Sequence, residues 1–279
     1  MVSTNLGAIL ARSGRSCALI DADLGGANVH TLLGVPSPRR TLSDFLRRKY
    51  ESLDDILCET NIPGLFLVSG SRALMEMANP KHTQKEKILR HIAALNVDHV
   101  ILDLGAGSSF NVLDFFLAAE EGLMVIVPEP TSVENAYHFM KAAFFRRLKR
   151  ATHLPGVKAA LDRALDRPEG GPIQSAAGLI SAVREVDPDA AGALETEARS
   201  FSPRILVNRV RSESDKRLGP DMQTVCRDYF ESDFTFLGHL PDDDLVRTSV
   251  QARMPVVEAF PTSSFTVTLN EIARTLLKG

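Results

Sequence analysis

Six short runs rich in Val, Ile and Leu punctuate the chain: Cys17–Ile20, Leu65–Val68, His99–Leu102, Leu123–Val127, Ile205–Val207 and Phe234–Leu237. None alternates polar and apolar residues cleanly. Continuous apolar runs of this length suit strands covered on both faces, as in a parallel sheet. Longer segments with helical spacing lie among them, at Val2–Arg12, Lys85–Leu95, Asn111–Ala119, Val133–Arg150, Lys216–Phe230 and Phe265–Leu277. Strand and helix in alternation imply right-handed βαβ units, and so an α/β fold with a doubly wound, mostly parallel sheet.

Residues 151–203 break that rhythm. They hold no convincing strand, are rich in Ala, Arg, Asp and Glu, and are punctuated by Pro155, Pro168, Pro172 and Pro188. The expectation is one domain over 1–279 with a helical insertion at about 151–203.

Composition narrows the function classes. The 279 residues are 44% hydrophobic and 24% charged, ordinary globular values, and the net charge of −3 supplies no global field for nucleic acid or anionic lipid. Cys17, Cys58 and Cys226 are far apart and form no CxxC pair, which argues against a disulfide framework or a cysteine metal site. No uncharged apolar stretch reaches the ~18 residues of a spanning helix, and the first residues lack a signal-peptide pattern. A cytoplasmic protein is the expectation.

In such a sheet, ligands sit beyond the carboxyl ends of the strands. Asp21 and Asp23 close the first run, ahead of a glycine-rich turn, and carboxylates there can hold Mg²⁺ or orient a water; a strand-end Asp can equally cap the next helix. Asp103 closes the third run with Gly107 four residues on, a Walker B-like layout in which a glycine lets backbone approach a phosphate and turn. Thr131 or Ser132 would cap the helix after the fourth run. Asn208 can pair with both edges of adenine or form an Asx turn. Pro241 and Asp242 open a run of acids that complements a helix dipole, with backbone contact to a base as the sharper reading.

Taken in order, these segments resemble the MinD/ParA family of deviant Walker ATPases, most closely its FlhG/FleN-like branch. DADLGGAN at 21–28 and DLGAG at 103–107 are similar to that family's two switches. VPEPTSVENAY at 127–137, LVNRV at 206–210 and the stretch 237–265 resemble its later strand ends. The resemblance implies a P-loop NTPase-like fold and an ATP-dependent, dimerising switch that hydrolyses ATP with Mg²⁺ in flagellar or other spatial regulation. Asp23 would polarise the attacking water, and Asp21 and Asp103 would act in the Mg²⁺ shell. Gly107 would lie on the γ-phosphate side, and Asn208, Pro241 and Asp242 at the base. It also implies a protein regulator as partner and a cytoplasmic location, peripheral at the membrane or pole. The family's GGxGK[ST] loop has no counterpart here: no GxxxxGK[ST] occurs in the chain, and Val2–Arg12 resembles the helix that follows that loop.

That absence leaves two readings. The coding sequence starts upstream, so the first strand and loop are missing and these residues alone bind and hydrolyse ATP poorly; or the protein is a non-catalytic interaction relative whose insertion is its working surface. A nicotinamide or flavin enzyme would need GxGxxG, which is not present. The basic amphipathic stretch His138–Arg150 can meet anionic lipid or DNA, but packing on its own sheet is the plainer role, and no stable nucleic-acid binding is expected.

Overall fold

The computed structural model describes residues 1–23, 26–36, 38–70, 82–152, 156–158, 161, 175–185 and 187–277. Leu24, Gly25, Pro155 and the proline-rich part of the insertion lie outside the described residues. The chain divides into two compact units, residues 1–106 with 242–279, and residues 107–241.

The first unit is built on a four-stranded sheet in the order β2 (Cys58–Glu59), β3 (Leu65–Val68), β1 (Cys17–Asp21), β4 (His99–Asp103). β1 runs parallel to both β3 and β4, with Asp21 level with Asp103, whereas the two-residue β2 pairs antiparallel with β3. The continuous apolar runs behave as their composition dictates: all five residues of β1 are buried. Helix α1 (Val2–Arg12) matches its expected bounds and buries Val2, Leu6, Ala8, Ile9, Leu10 and Ala11. Gly7 of α1 lets Leu65 of β3 approach to where a Cβ would be 3.0 Å from it, so this helix can lie close on the sheet. Helix α2 (Val29–Leu32) follows the glycine-rich turn, and α3 (Leu42–Leu46) starts at a capping box formed by Thr41 and Asp44. α4 (His82–Ala93) precedes β4.

The second unit carries the three-stranded parallel sheet β5 (Leu123–Ile126), β6 (Arg204–Val210), β7 (Thr235–Pro241). Its helices are α5 (Phe110–Phe116), α6 (Pro130–Ala151), α7 (Ala176–Arg184), α8 (Pro188–Arg199), α9 (Glu213–Lys216) and α10 (Leu218–Phe230). Phe144, Phe201, Phe230 and Phe234 form an aromatic cluster at its core, with edge-to-face, tilted and stacked pairs. After β7 the chain returns to the first unit, which holds α11 (Asp244–Gln251), α12 (Val256–Ala259) and α13 (Ser264–Leu276).

Both sheets end in an apolar strand with an open side. Among the described residues β4 pairs only with β1, and β5 only with β6. All five residues of β4 are half-buried although Val100, Ile101 and Leu102 are as apolar as the buried β1, and Val125 of β5 is 39% exposed. Neither strand carries the lysine, proline or bulge that usually blunts an edge.

Two expectations are corrected. Neither Thr131 nor Ser132 caps α6: Glu129 is the N-cap with Pro130 in the first turn, and the Ser132 hydroxyl accepts the Val127 N–H instead. The single helix expected over Lys216–Phe230 is two, α9 and α10, because Ser212 and Asp215 form a capping box that starts a turn earlier. The basic stretch on α6 takes the plainer of its two expected roles in part: Arg146 and Arg150 pair with Asp114, and Arg147 with Glu197, while Arg150 stays about half exposed.

Candidate functional site

β1 and β4 end side by side, so their last residues face a common rim. Asp21 and Asp103 stand at the same register, and the Ala22 N–H donates to the Asp103 carbonyl at 2.9 Å, which carries the pairing past the strand end. Two residues on, Asp23 folds its carboxylate back over the second loop. A Cβ on Gly105 would lie 2.8 Å from Asp23 Oδ1, and one on Gly70 2.8 Å from the Asp21 carbonyl oxygen. Glycine at 70 and 105 is therefore what lets three loops crowd this rim.

The carboxylates differ in how they are held. Asp23 Oδ1 accepts the Gly26 N–H at 3.0 Å. Asp103 Oδ1 accepts the Ser3 hydroxyl at 2.6 Å, so the first turn of α1 opens onto the same acids. Asp21 is 0% exposed; its Oδ2 accepts the Val29 N–H at 3.0 Å, and its Oδ1 is buried with no hydrogen-bond partner among the described residues. Burial pushes the Asp21 carboxyl up to about 6, Asp103 and Asp23 add to the rise, and the Val29 and Asp23 N–H groups oppose it. The Met1 α-amino group is held below its ordinary value by burial, against the pull of Asp103 and Asp21.

A buried carboxylate oxygen without a donor, beside two further carboxylates, fits a cation. No group of three or more His, Cys, Asp or Glu side chains among the described residues is arranged to ligate a metal by itself. A Mg²⁺ here would thus take one or two carboxylates and keep waters or ligand oxygens for the rest, as this ion usually does.

The other residues singled out from sequence lie elsewhere along the chain. Gly107 begins the second unit with φ +94°, a left-handed conformation reserved for glycine, and a Cβ there would meet nothing within 4 Å. Glycine is required at 107 by the turn, not by crowding. Asn208 lies near the carboxyl end of β6, where one extra residue is accommodated between Val207 and Val210 and Arg209 takes φ 60°. This is a β-bulge that re-aims the strand end. Pro241 closes β7, and Asp242 begins the return to the first unit. The chain thus passes between its two units at Ala106–Gly107 and at Pro241–Asp242. Asp243, beyond them, caps α11 by accepting the Leu245 N–H, and its other oxygen accepts from Ser264 Oγ and the Phe265 N–H.

Ser3 escaped sequence reading. It sits in an apolar helix with no motif around it, and only the register of α1 against β4 brings it to Asp103. The Val29 N–H was equally hidden, because a backbone donor carries no side-chain signature.

Known proteins are similar to this chain in sequence and in fold. Antiactivator FleN of Pseudomonas aeruginosa is 28% identical over 277 residues, spanning 98% of this chain and 79% of that protein. The cell-division ATPase MinD of Pyrococcus furiosus superposes with a TM-score of 0.64 at 20% identity, over 99% of this chain and 92% of that one. MinD of Pyrococcus horikoshii, solved with Mg-ADP, superposes with a TM-score of 0.64 at 20% identity, over 100% and 90%. These likenesses establish a P-loop NTPase-like fold. The model of the CobQ/CobB/MinD/ParA nucleotide binding domain matches residues 1–256, and the chain belongs to that family.

Proposed function

We propose that this protein is an ATP-dependent molecular switch of the MinD/ParA type, acting in spatial or flagellar regulation. The observation that carries the reading is the Asp21–Asp23–Asp103 rim, with one buried carboxylate oxygen left without a donor. Asp21 and Asp103 would hold Mg²⁺, and Ser3 fixes the Asp103 rotamer. Bound Mg²⁺ supplies charge neutralisation for a triphosphate. Asp23, whose Oδ1 accepts the Gly26 N–H, would orient and polarise the attacking water. Gly107 offers its backbone to the γ-phosphate side, and Asn208, Pro241 and Asp242 receive the base. In this reading residues 1–279 are one nucleotide-binding domain with a helical insertion at about 151–203.

The complete protein carries a further strand and a glycine-rich loop ahead of α1. The open, apolar side of β4 supports this, since an unblunted Val-Ile-Leu edge is a template for another strand. The loop would supply the backbone N–H cradle for phosphate that no GxxxxGK[ST] in this chain provides. ATP then holds two copies together, hydrolysis releases them, and a protein regulator reads the state, as suits a relative of an antiactivator. The location is cytoplasmic, peripheral at the membrane or pole; among the described residues no helix is long and apolar enough to cross a membrane.

Calorimetry with Mg-ATP tests this directly on residues 1–279 and on the upstream-extended protein. The extended protein should bind tightly and the shorter one at least a hundredfold more weakly. Tight Mg²⁺-dependent binding by residues 1–279, or none by an extended protein with a GGxGK[ST] loop, refutes the reading.

A further inference from the structure

Phe110 is 71% exposed, the most exposed large hydrophobic side chain among the described residues. A lone surface aromatic is ordinary. This one is held in place. The Arg146 guanidinium lies over the ring, 4.7 Å from its centre, and Arg146 is itself fixed by a two-pronged pair with Asp114, whose side chain is 3% exposed. Arg150 grips the same carboxylate. Ser109 caps α5 immediately before Phe110, its hydroxyl accepting the Val112 N–H, so the backbone under the ring is fixed as well.

The ring thus presents one face to Arg146 and keeps the other open, with its rotamer set before any partner arrives. A fixed aromatic loses little conformational freedom on binding, and aromatic and arginine side chains are the usual anchors of interfaces. The surroundings state the chemistry of the partner. Two guanidiniums meet one carboxylate, so the Asp114–Arg146–Arg150 cluster keeps one net positive charge, and Arg150 is 47% exposed. The free ring face suits an apolar side chain, and the surplus cation suits a carboxylate.

We propose that Phe110, with Arg146 and Arg150, anchors an interaction surface for an acidic amphipathic segment of a partner protein. All of these residues lie in the second unit, and none of them is among those assigned to the nucleotide.

The test is fluorescence polarisation with the 279-residue chain. The probes are a labelled acidic amphipathic helical peptide, a basic peptide with the same apolar pattern, a single-stranded oligonucleotide, and vesicles of anionic phospholipid. The acidic peptide should bind at least tenfold more tightly than the basic one. F110A should weaken it about tenfold at unchanged melting temperature, Arg150→Glu should weaken it similarly, and F110Y should restore binding. Equal binding of the two peptides, absence of binding to the acidic one, or an acidic-peptide affinity untouched by F110A overturns the proposal. So does Phe110-dependent binding of the oligonucleotide or vesicles in preference to the acidic peptide, which would give the surface to nucleic acid or lipid.

Discussion

At the carboxyl rim of the four-stranded sheet, Asp21 is fully buried, one of its oxygens lacks a donor, and two more carboxylates stand beside it. At the strand ends of the three-stranded sheet the polar groups are settled: the Ser132 hydroxyl takes the Val127 N–H, and Arg209 reaches Glu129 across 3.8 Å. Even the second unit's most buried acid, Asp114, is answered by two arginines. The first unit therefore keeps an uncompensated charge problem that folding alone gives no reason to keep, and the second does not. A buried acid with one oxygen unanswered and further acids beside it marks a site, whereas an acid paired by its own fold marks structure.

The sharpest way to break that contrast is to remove one acid from each unit. On the proposed reading, Asp23→Asn in the upstream-extended protein should lower ATP turnover about a thousandfold while leaving Mg-ATP affinity within a few-fold. Single-turnover hydrolysis beside calorimetry separates the two. Equal losses in affinity and turnover would move Asp23 out of its water-orienting role and into binding. Asp114→Ala should do the opposite. It strands Arg146 beside an apolar helix and should cost about 3 to 4 kcal/mol of stability in denaturant unfolding. A loss under 1 kcal/mol would mean the pair is as dispensable as a surface bridge.

How far the sequence foretold this divides along the same line. β1, β3 and β4 were legible within a residue because each is a continuous apolar run; burial of β1 and nearly all of β3 demands such a run, and β4 keeps one although it is only half-buried. The acids could be placed at the rim because each closes or follows such a run, although capping the next helix was an equal reading of a strand-end Asp. β2 was not, since two residues, Cys58 and Glu59, leave no periodicity to read. The bulge at Asn208–Arg209 was hidden too, because an arginine in the left-handed region looks like any other in a string of letters. Ser3 and the Val29 N–H needed three-dimensional register, which no local pattern carries.

Asp21 sharpens the comparison through pH. Its folded-state value of about 6 lies above the 3.8 of an ordinary aspartate, so the folded protein holds the proton more tightly than the unfolded chain. The stability this contributes is fully present below the unfolded value and is lost as pH rises through about 6. By neutral pH the loss is about 3 kcal/mol, at 1.36 kcal/mol per unit. Asp21→Asn removes the titrating group, so it should gain about that much over the native protein at pH 7.5 and nothing near pH 3. Urea unfolding across this range checks it. A pH-independent difference would show that the carboxylate is already neutralised by something other than a proton.

The smallest effect probes whether the second unit stores strain for a purpose. Arg209 at φ 60° carries a side chain where its Cβ crowds the following carbonyl, a penalty of about 1 kcal/mol that glycine escapes. Glycine gives part of this back through its greater freedom when unfolded, and the exposed Arg209–Glu129 pair adds little. Arg209→Gly should therefore stabilise the protein by about 0.5 kcal/mol, read as a small upward shift in melting temperature. If it destabilises instead, the arginine side chain and not the bulge geometry holds this strand end. The informative case is a protein slightly more stable whose extended form binds Mg-ATP more weakly than before. Strain would then be held at Arg209 to aim Asn208, and the second unit would contribute position where the first contributes charge.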